Sequence, residues 1–281
     1  MNNLCVTVSG GETSMYAALW IRDNLKADCN VTFVFANTGE ENEQTLEFVD
    51  KCARHYSLPI VWVEAVINPE VGKGTRHKIV NFETASRQGE PFYPLCKKYG
   101  LPNPNFFHCT RELKEAPIKS YCKSLGWESW YTSIGIRSDE LDRVSPKYKE
   151  QQKYYPLAFD NPKTKPQINN FWASEPFRLQ LKGYQGNCKT CYKKREKKLL
   201  AIAQESPEKF QTFKCLELLY SHVKPKDGEE RRNMFYEEKT VDDILSKAKS
   251  IPIINVTDDS QVFDDQLDLF GCQESCEPFA N

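Results

Sequence analysis

The chain has 281 residues and near balance between 38 Lys plus Arg and 39 Asp plus Glu, a formal net charge of -1. That balance excludes the broadly basic surface of a protein that coats nucleic acid, and no apolar run reaches the ~18 residues a membrane-spanning helix needs. Met1-Asn2-Asn3 leads straight into the alternation Leu4-Cys5-Val6-Thr7-Val8 without a secretory leader, so the chain reads as soluble and cytoplasmic, where its eleven cysteines are reduced thiols, metal ligands or redox groups.

Apolar alternation predicts a first strand over Leu4 to Ser9. It ends in Ser9-Gly10-Gly11-Glu12-Thr13-Ser14, where a helix over Ser14 to Leu25 begins. Glycines let the backbone approach a phosphate without a Cβ clash, and the free N–H groups at a helix start favour an anion. The loop is neither G-x-G-x-x-G nor G-x-x-x-x-G-K-[ST], which disfavours the ordinary dinucleotide and Walker sites. A second strand over Asn30 to Ala36 ends in Asn37-Thr38-Gly39-Glu40, followed by a helix over Glu41 to His55 and a third strand over Ile60 to Ala65. His108-Cys109-Thr110-Arg111-Glu112-Leu113-Lys114 precedes a helix over Ala116 to Leu125. A fourth strand over Trp130 to Ile136 runs into Gly135-Ile136-Arg137-Ser138-Asp139-Glu140-Leu141-Asp142-Arg143. Strand and helix alternate, so the expected fold is α/β, a doubly wound, mostly parallel sheet.

From Lys147 to Gly183 the chain is rich in Pro, Asn and Lys and reads as irregular structure or an insertion rather than another strand-helix unit. Helices are expected at Tyr192 to Gln204, Pro207 to Tyr220 and Val241 to Lys249. The division that follows is a nucleotide-binding domain over 1–146, with an insertion and a cysteine-rich, largely helical C-terminal region over 147–281 packed on it.

Ser-Gly-Gly-x-x-Ser after the first strand and Asn-Thr-Gly after the second resemble the paired signatures of the phosphoadenosine phosphosulfate (PAPS) reductase and PP-loop ATP-pyrophosphatase superfamily. The Cys109-Thr110-x-x-Leu113-Lys114-x-x-Pro117 and Gly135-Ile136-Arg137-x-x-Glu140-x-x-Arg143 segments resemble its later motifs, in the expected order. The resemblance implies an adenine nucleotide, ATP or PAPS/APS, with Mg²⁺. It places Ser9, Gly10, Gly11, Thr13 and Ser14 on the phosphate side and Asn37, Thr38 and Gly39 on the nucleoside side. Arg111, Lys114, Arg137 and Arg143 become candidate phosphate or sulfate clamps, Arg by bidentate contact and Lys as a point charge. Two departures stand out. Many members have Lys and Asp where this chain has Glu12 and Thr13, and the reductases' C-terminal Glu-Cys-Gly-[Ile/Leu]-His segment has no counterpart here.

Cysteine pairs stand in its place: Cys188-Lys189-Thr190-Cys191, and Cys272 with Cys276 near the C-terminus. Four thiolates from two short loops suit Zn²⁺ or a [4Fe-4S] cluster, and relatives in DNA phosphorothioation and tRNA thiolation bear such cysteines. Cys109, beside His108, Arg111 and Lys114, is the candidate reactive thiol; Cys5, Cys29, Cys52, Cys122 and Cys215 read as buried small residues. The leading expectation is ATP-dependent adenylation followed by sulfur transfer to an acceptor. The basic stretch Lys189 to Lys198 suggests a nucleic-acid acceptor, and a sulfur-donor protein would be a further partner. Sulfonucleotide reduction and non-catalytic nucleotide binding are the alternatives.

Overall fold

The first strand, β1 (Asn3–Val8), is buried along almost its whole length, as a parallel strand covered on both faces must be. In the computed structural model, which describes residues 3–25, 29–70, 72–223, 235–236, 238–264 and 279, it is followed by α1 (Glu12–Asn24), β2 (Asn30–Ala36), α2 (Glu43–His55), β3 (Ile60–Val66), β4 (Arg76–Val80) and α3 (Phe92–Tyr99). A π-helical turn (Thr110–Glu115) leads into α4 (Ala116–Ser124) and β5 (Tyr131–Ser133). After a 3-10 turn (Ser138–Arg143) come β6 (Lys153–Tyr154), α5 (Pro156–Phe159), α6 (Lys165–Ser174), α7 (Glu196–Glu205), α8 (Gln211–Tyr220) and α9 (Val241–Ser250).

The strands form one six-stranded sheet in the order β4-β3-β2-β1-β5-β6, parallel except for β4 against β3. The chain winds outward from β1 to β3 on one side and returns to the other side of β1 with β5. The strand order therefore reverses between β1 and β5, and doubly wound sheets open their ligand crevice beyond the C-terminal ends of the strands at that point. One face of the sheet packs Val6, Val8, Met15, Leu19, Leu46 and Phe48 with Trp172 of α6. The other packs Val34, Val63, Ile118, Tyr121, Ile134 and Ile136.

Three features depart from the sequence reading. The segment 147–183 does continue the sheet: Thr132 pairs with Lys153 and Ser133 with Tyr154, and the ten-residue α6 follows. Two of its four prolines are helix starts rather than breakers. Pro156 and Pro166 sit in first turns, where a missing N–H loses no intrahelical bond. Second, β4 is an edge strand with sequence Arg76-His77-Lys78-Ile79-Val80, fixed by ladder pairing and by Lys78 Nζ 2.8 Å from the buried Glu64 Oε2. Third, α3 contains Pro94 in its first turn and so lacks an obvious helical pattern. The hydrophobic clusters also run across residue 146, since Ala65, Phe92 and Leu95 share one with Leu199, Ile202, Phe210 and Phe213.

Candidate active site

The loop after β1 is built for close backbone approach. Gly10 has φ +86°, and a Cβ there would lie 2.3 Å from Thr45 Cγ2. Across the switch point, a Cβ on Gly135 would come within 2.9 Å of Ser14 Cα, so the loop after β5 presses directly on the start of α1. Ser14 braces the loop from inside: its hydroxyl donates to Gly11 O at 2.9 Å and accepts from Ser9 N–H at 3.0 Å and Ser9 Oγ at 2.9 Å. These hydroxyls set loop shape. The contact with an anion is left to backbone N–H groups and neighbouring cations.

Those cations come from both sides of the crevice. A cleft of about 160 Å³ is lined by Ser9 to Ser14, Thr45, Gly135, Arg137, Glu140, Arg143, Lys165, Lys182, Gly186, Asn187, Asp259 and Ser260, among others. Arg137 is nearly buried. Its Nε donates to Asp139 Oδ1 at 2.8 Å and its Nη1 reaches Thr13 Oγ1 at 3.4 Å, which aims the guanidinium along the phosphate loop. Glu140 receives both Arg137 and Arg143, and Arg143 keeps a buried Nε without a hydrogen-bond partner among the described residues. Arg137 and Arg143 thus line one cleft with the loop Ser9 to Ser14.

Glu12 is locked. Arg178 Nε and Nη2 hold its two carboxylate oxygens at 2.9 and 3.0 Å, Trp172 Nε1 donates to its carbonyl at 3.0 Å, and Arg178 Nη2 also reaches Ser260 O at 3.1 Å. A bidentate Arg neutralises the carboxylate in place. Arg178, Lys165 and Lys182 were missed by motif reading because they lie in the segment taken as irregular. The one available signal was the Thr164-x-x-Gln167 capping box that starts α6 beside Lys165.

Asn37, Thr38 and Gly39 do not line this cleft. Asn37 is fully buried, donating to Glu64 Oε1 at 2.6 Å and Ser86 O at 2.9 Å. Burial works to raise the Glu64 carboxyl, but hydrogen bonds from Lys78, Ser86 and Asn37 outweigh it and hold it below the usual carboxylate range. Thr38 donates to Glu41 and sits 3.6 Å from Cys188 Sγ. The loop after β2 is therefore a docking ledge for the Cys188 to Cys191 turn: Glu41 bridges to Cys188, and Lys189 N–H donates to Glu40 O at 2.7 Å.

On that ledge lies a second cavity of about 20 Å³, room for roughly one water-sized atom, lined by Thr38, Phe92, Cys109, Thr110, Lys114, Cys188, Cys191, Tyr192 and Lys193. Cys109 and Lys114 join the buried pair Cys188 and Cys191 here, with Cys109 Sγ 3.4 Å from Tyr192 Oη. Arg111 lines neither cavity. Its Nε turns to Glu112 Oε1 at 2.8 Å, and the guanidinium lies over Tyr99. His108 likewise turns away, its Nε2 3.2 Å from Gly100 O. Cys272 and Cys276 lie outside the described residues, and among the described residues no group of three or more His, Cys, Asp or Glu is arranged to hold a metal ion. Cys5, Cys52 and Cys122 are buried as expected, whereas Cys29 and Cys215 are only half-buried. The basic stretch is not one solvent-facing stripe: Lys194 is buried on the carbonyls of Tyr184 and Gly186, and Lys189 donates to Arg87 O.

A six-stranded, mostly parallel sheet with a glycine-turned loop and paired arginines at its switch point defines a doubly wound α/β class with its candidate site at that point. Within that class the chain belongs to the phosphoadenosine phosphosulfate reductase domain family, whose model matches residues 3–152. It is 31% identical to the uncharacterized nin region protein ORF290 of Escherichia phage lambda, over 98% of this chain and 94% of that one. It is also 25% identical to an uncharacterized protein of Methanocaldococcus jannaschii, over 53% of this chain and 26% of that one. Among the described residues no helix is long and apolar enough to cross a membrane.

Proposed function

We propose that the protein is an enzyme of adenine-nucleotide-dependent sulfur chemistry that adenylates an acceptor with ATP and then passes sulfur to it. One observation carries the reading: Gly186 and Asn187 line the phosphate cleft while the next residue, Cys188, lines the thiol cavity, so one short turn joins the two. In this scheme an acceptor oxygen attacks the α-phosphorus, pyrophosphate leaves, and a sulfur nucleophile then displaces AMP. Backbone N–H groups of Ser9 to Ser14 with Arg137 and Arg143 would stabilise the charge that gathers on phosphate oxygens. Mg²⁺ belongs to the same reading as a partner of the phosphates.

Sulfonucleotide reduction is the second reading, favoured by the family itself. There a thiolate attacks the nucleotide's sulfur and expels AMP or its 3'-phosphorylated form, and a second thiol forms a disulfide as sulfite leaves. Cys109, Cys188 and Cys191 supply the thiols in one cavity. The sulfur pair Cys188 and Cys191 also suits Zn²⁺ or an iron-sulfur cluster, a four-cysteine set completed in our proposal by Cys272 and Cys276. Such a centre would hold the C-terminal segment to the main body and supply either structural or electron-transfer chemistry. Nucleic acid as acceptor, with a sulfur-donor protein, completes the proposal.

The test offers ATP, APS and PAPS separately to anaerobically purified protein with a reductant and nucleic-acid acceptors. Pyrophosphate with AMP and a thiolated acceptor is the expected result, and sulfite selects the reductase instead. No product in any combination from a sample that binds nucleotide would leave only a non-catalytic binding role. Iron, zinc and sulfide content of Cys191→Ser and Cys276→Ser variants tests the centre, and full occupancy in both excludes it.

A further inference from the structure

The phosphate cleft is lined by four side-chain cations, Arg137, Arg143, Lys165 and Lys182. Three of them already face carboxylates. Arg137 is paired with Asp139 and Glu140, Arg143 with Glu140, and Lys182 with Glu205 at 2.6 Å. The acid inside the loop, Glu12, is likewise neutralised by Arg178. Lys165 alone of the four has no ion pair within the described residues, although it is only partly exposed and belongs to the cleft wall. Lys165 is therefore the one of these four cations left without a carboxylate partner, in a lining that also includes the acid Asp259.

Its backbone is fixed independently of its side chain. Lys165 N–H donates to Asp139 Oδ2 at 3.0 Å, and the other oxygen of that carboxylate accepts from Arg137 Nε. Asp139 thus ties the first turn of α6 to the guanidinium that reaches Thr13 in the phosphate loop. Lys165 also opens a ten-residue helix capped by Thr164, so its ammonium stands at the positive end of the α6 dipole.

We propose that Lys165 is a phosphate-binding residue of this cleft, supplying the mobile point charge that neutralises the polyphosphate or phosphosulfate chain of the nucleotide. The assignment rests on the nucleotide reading above. It places a ligand contact in the second half of the chain, on an element that carries none of the family's quoted motifs. A lysine suits the task because its flexible stem can follow a phosphate chain while the paired arginines stay in place.

Calorimetric titration of full-length wild type, Lys165→Ala, Lys165→Gln and Lys165→Arg with ATP and with adenosine tests the assignment, with the neighbouring Lys163→Ala as control. Loss of a charge-assisted contact corresponds to roughly tenfold weaker binding or more. Lys165→Ala and Lys165→Gln should show that loss for ATP and none for adenosine. Lys165→Arg should stay within about threefold of wild type because the charge is kept, and Lys163→Ala should match wild type. ATP affinity unchanged in a folded Lys165→Ala or Lys165→Gln variant overturns the assignment alone. Wild-type protein that binds none of ATP, APS or PAPS overturns the nucleotide reading and this assignment with it.

Discussion

Glu12 and Glu40 are both buried acids beside functional loops, and the chain treats them in opposite ways. Glu12 receives a bidentate arginine, so the loop after β1 gains a fixed tether to residue 178. Glu40 is completely buried, and among the described residues neither carboxylate oxygen has a hydrogen bond of good geometry. Burial pushes its carboxyl up to about 7, against the opposing pull of Lys189 and Thr212 and with help from Glu41 and Glu90. Between its ordinary value and about 7, the folded protein keeps a proton that the unfolded chain has lost, so this residue's contribution to stability falls as pH rises through that window. Glu40→Gln should remove that component. The variant should be more stable than wild type at pH 8, by up to about 3 kcal/mol, and near equal to it at pH 4.5. Denaturant melts at both pH values measure this; an equal difference at the two would mean Glu40 titrates normally.

At the scale of elements, the turn between β1 and α1 separates two glycines that look equivalent in sequence. Gly10 adopts φ +86° and has Thr45 Cγ2 where a Cβ would go, whereas Gly11 has ordinary backbone angles and only Ser9 Oγ, 3.8 Å away, near that position. Gly10→Ala should therefore cost roughly 2 kcal/mol or more, and Gly11→Ala less than about 1 kcal/mol as a helix N-cap. Thermal melts of the two variants decide the point, and equal losses would place the constraint elsewhere. The buried strands β1, β2 and β3 were legible in the sequence because parallel interior strands are runs of β-branched and aromatic residues. The loops after β1 and β5 were legible because glycine and arginine serve them locally. The edge strand β4 and the two-residue β6 were not, since pairing with a neighbour rather than their own composition defines them. Asn37, Thr38 and Gly39 were legible as a motif but their partners were not: Asn37 touches the buried Glu64 and Thr38 the cysteine turn, and no local pattern reveals partners that far along the chain.

Across the whole molecule, the first 146 residues supply the phosphate loop and the arginines, yet they do not close either the cleft or the core. Lys165, Lys182, Asp259 and Ser260 line the cleft, Asn169 Nδ2 holds the carbonyls of Asp259 and Val262 at 2.8 and 2.6 Å, and Trp172 packs on α1 and α2 residues from beyond residue 146. Without the second half, Phe92, Leu95 and Leu113 would lose their partners on α7 and α8. A ligand seated between the halves binds the folded state alone, so it stabilises by RT ln(1 + [L]/Kd), about 2.7 kcal/mol at a hundredfold excess over Kd. The full chain is therefore expected to melt in one transition that ATP raises by roughly 5 °C. The fragment 1–146 is expected to aggregate or to lack a cooperative melt, because its exposed apolar surface has no cover. Differential scanning calorimetry of both, with and without ATP, tests the coupling. A soluble fragment that melts cooperatively and binds ATP as tightly as the full chain would show that the second half contributes neither core nor phosphate site.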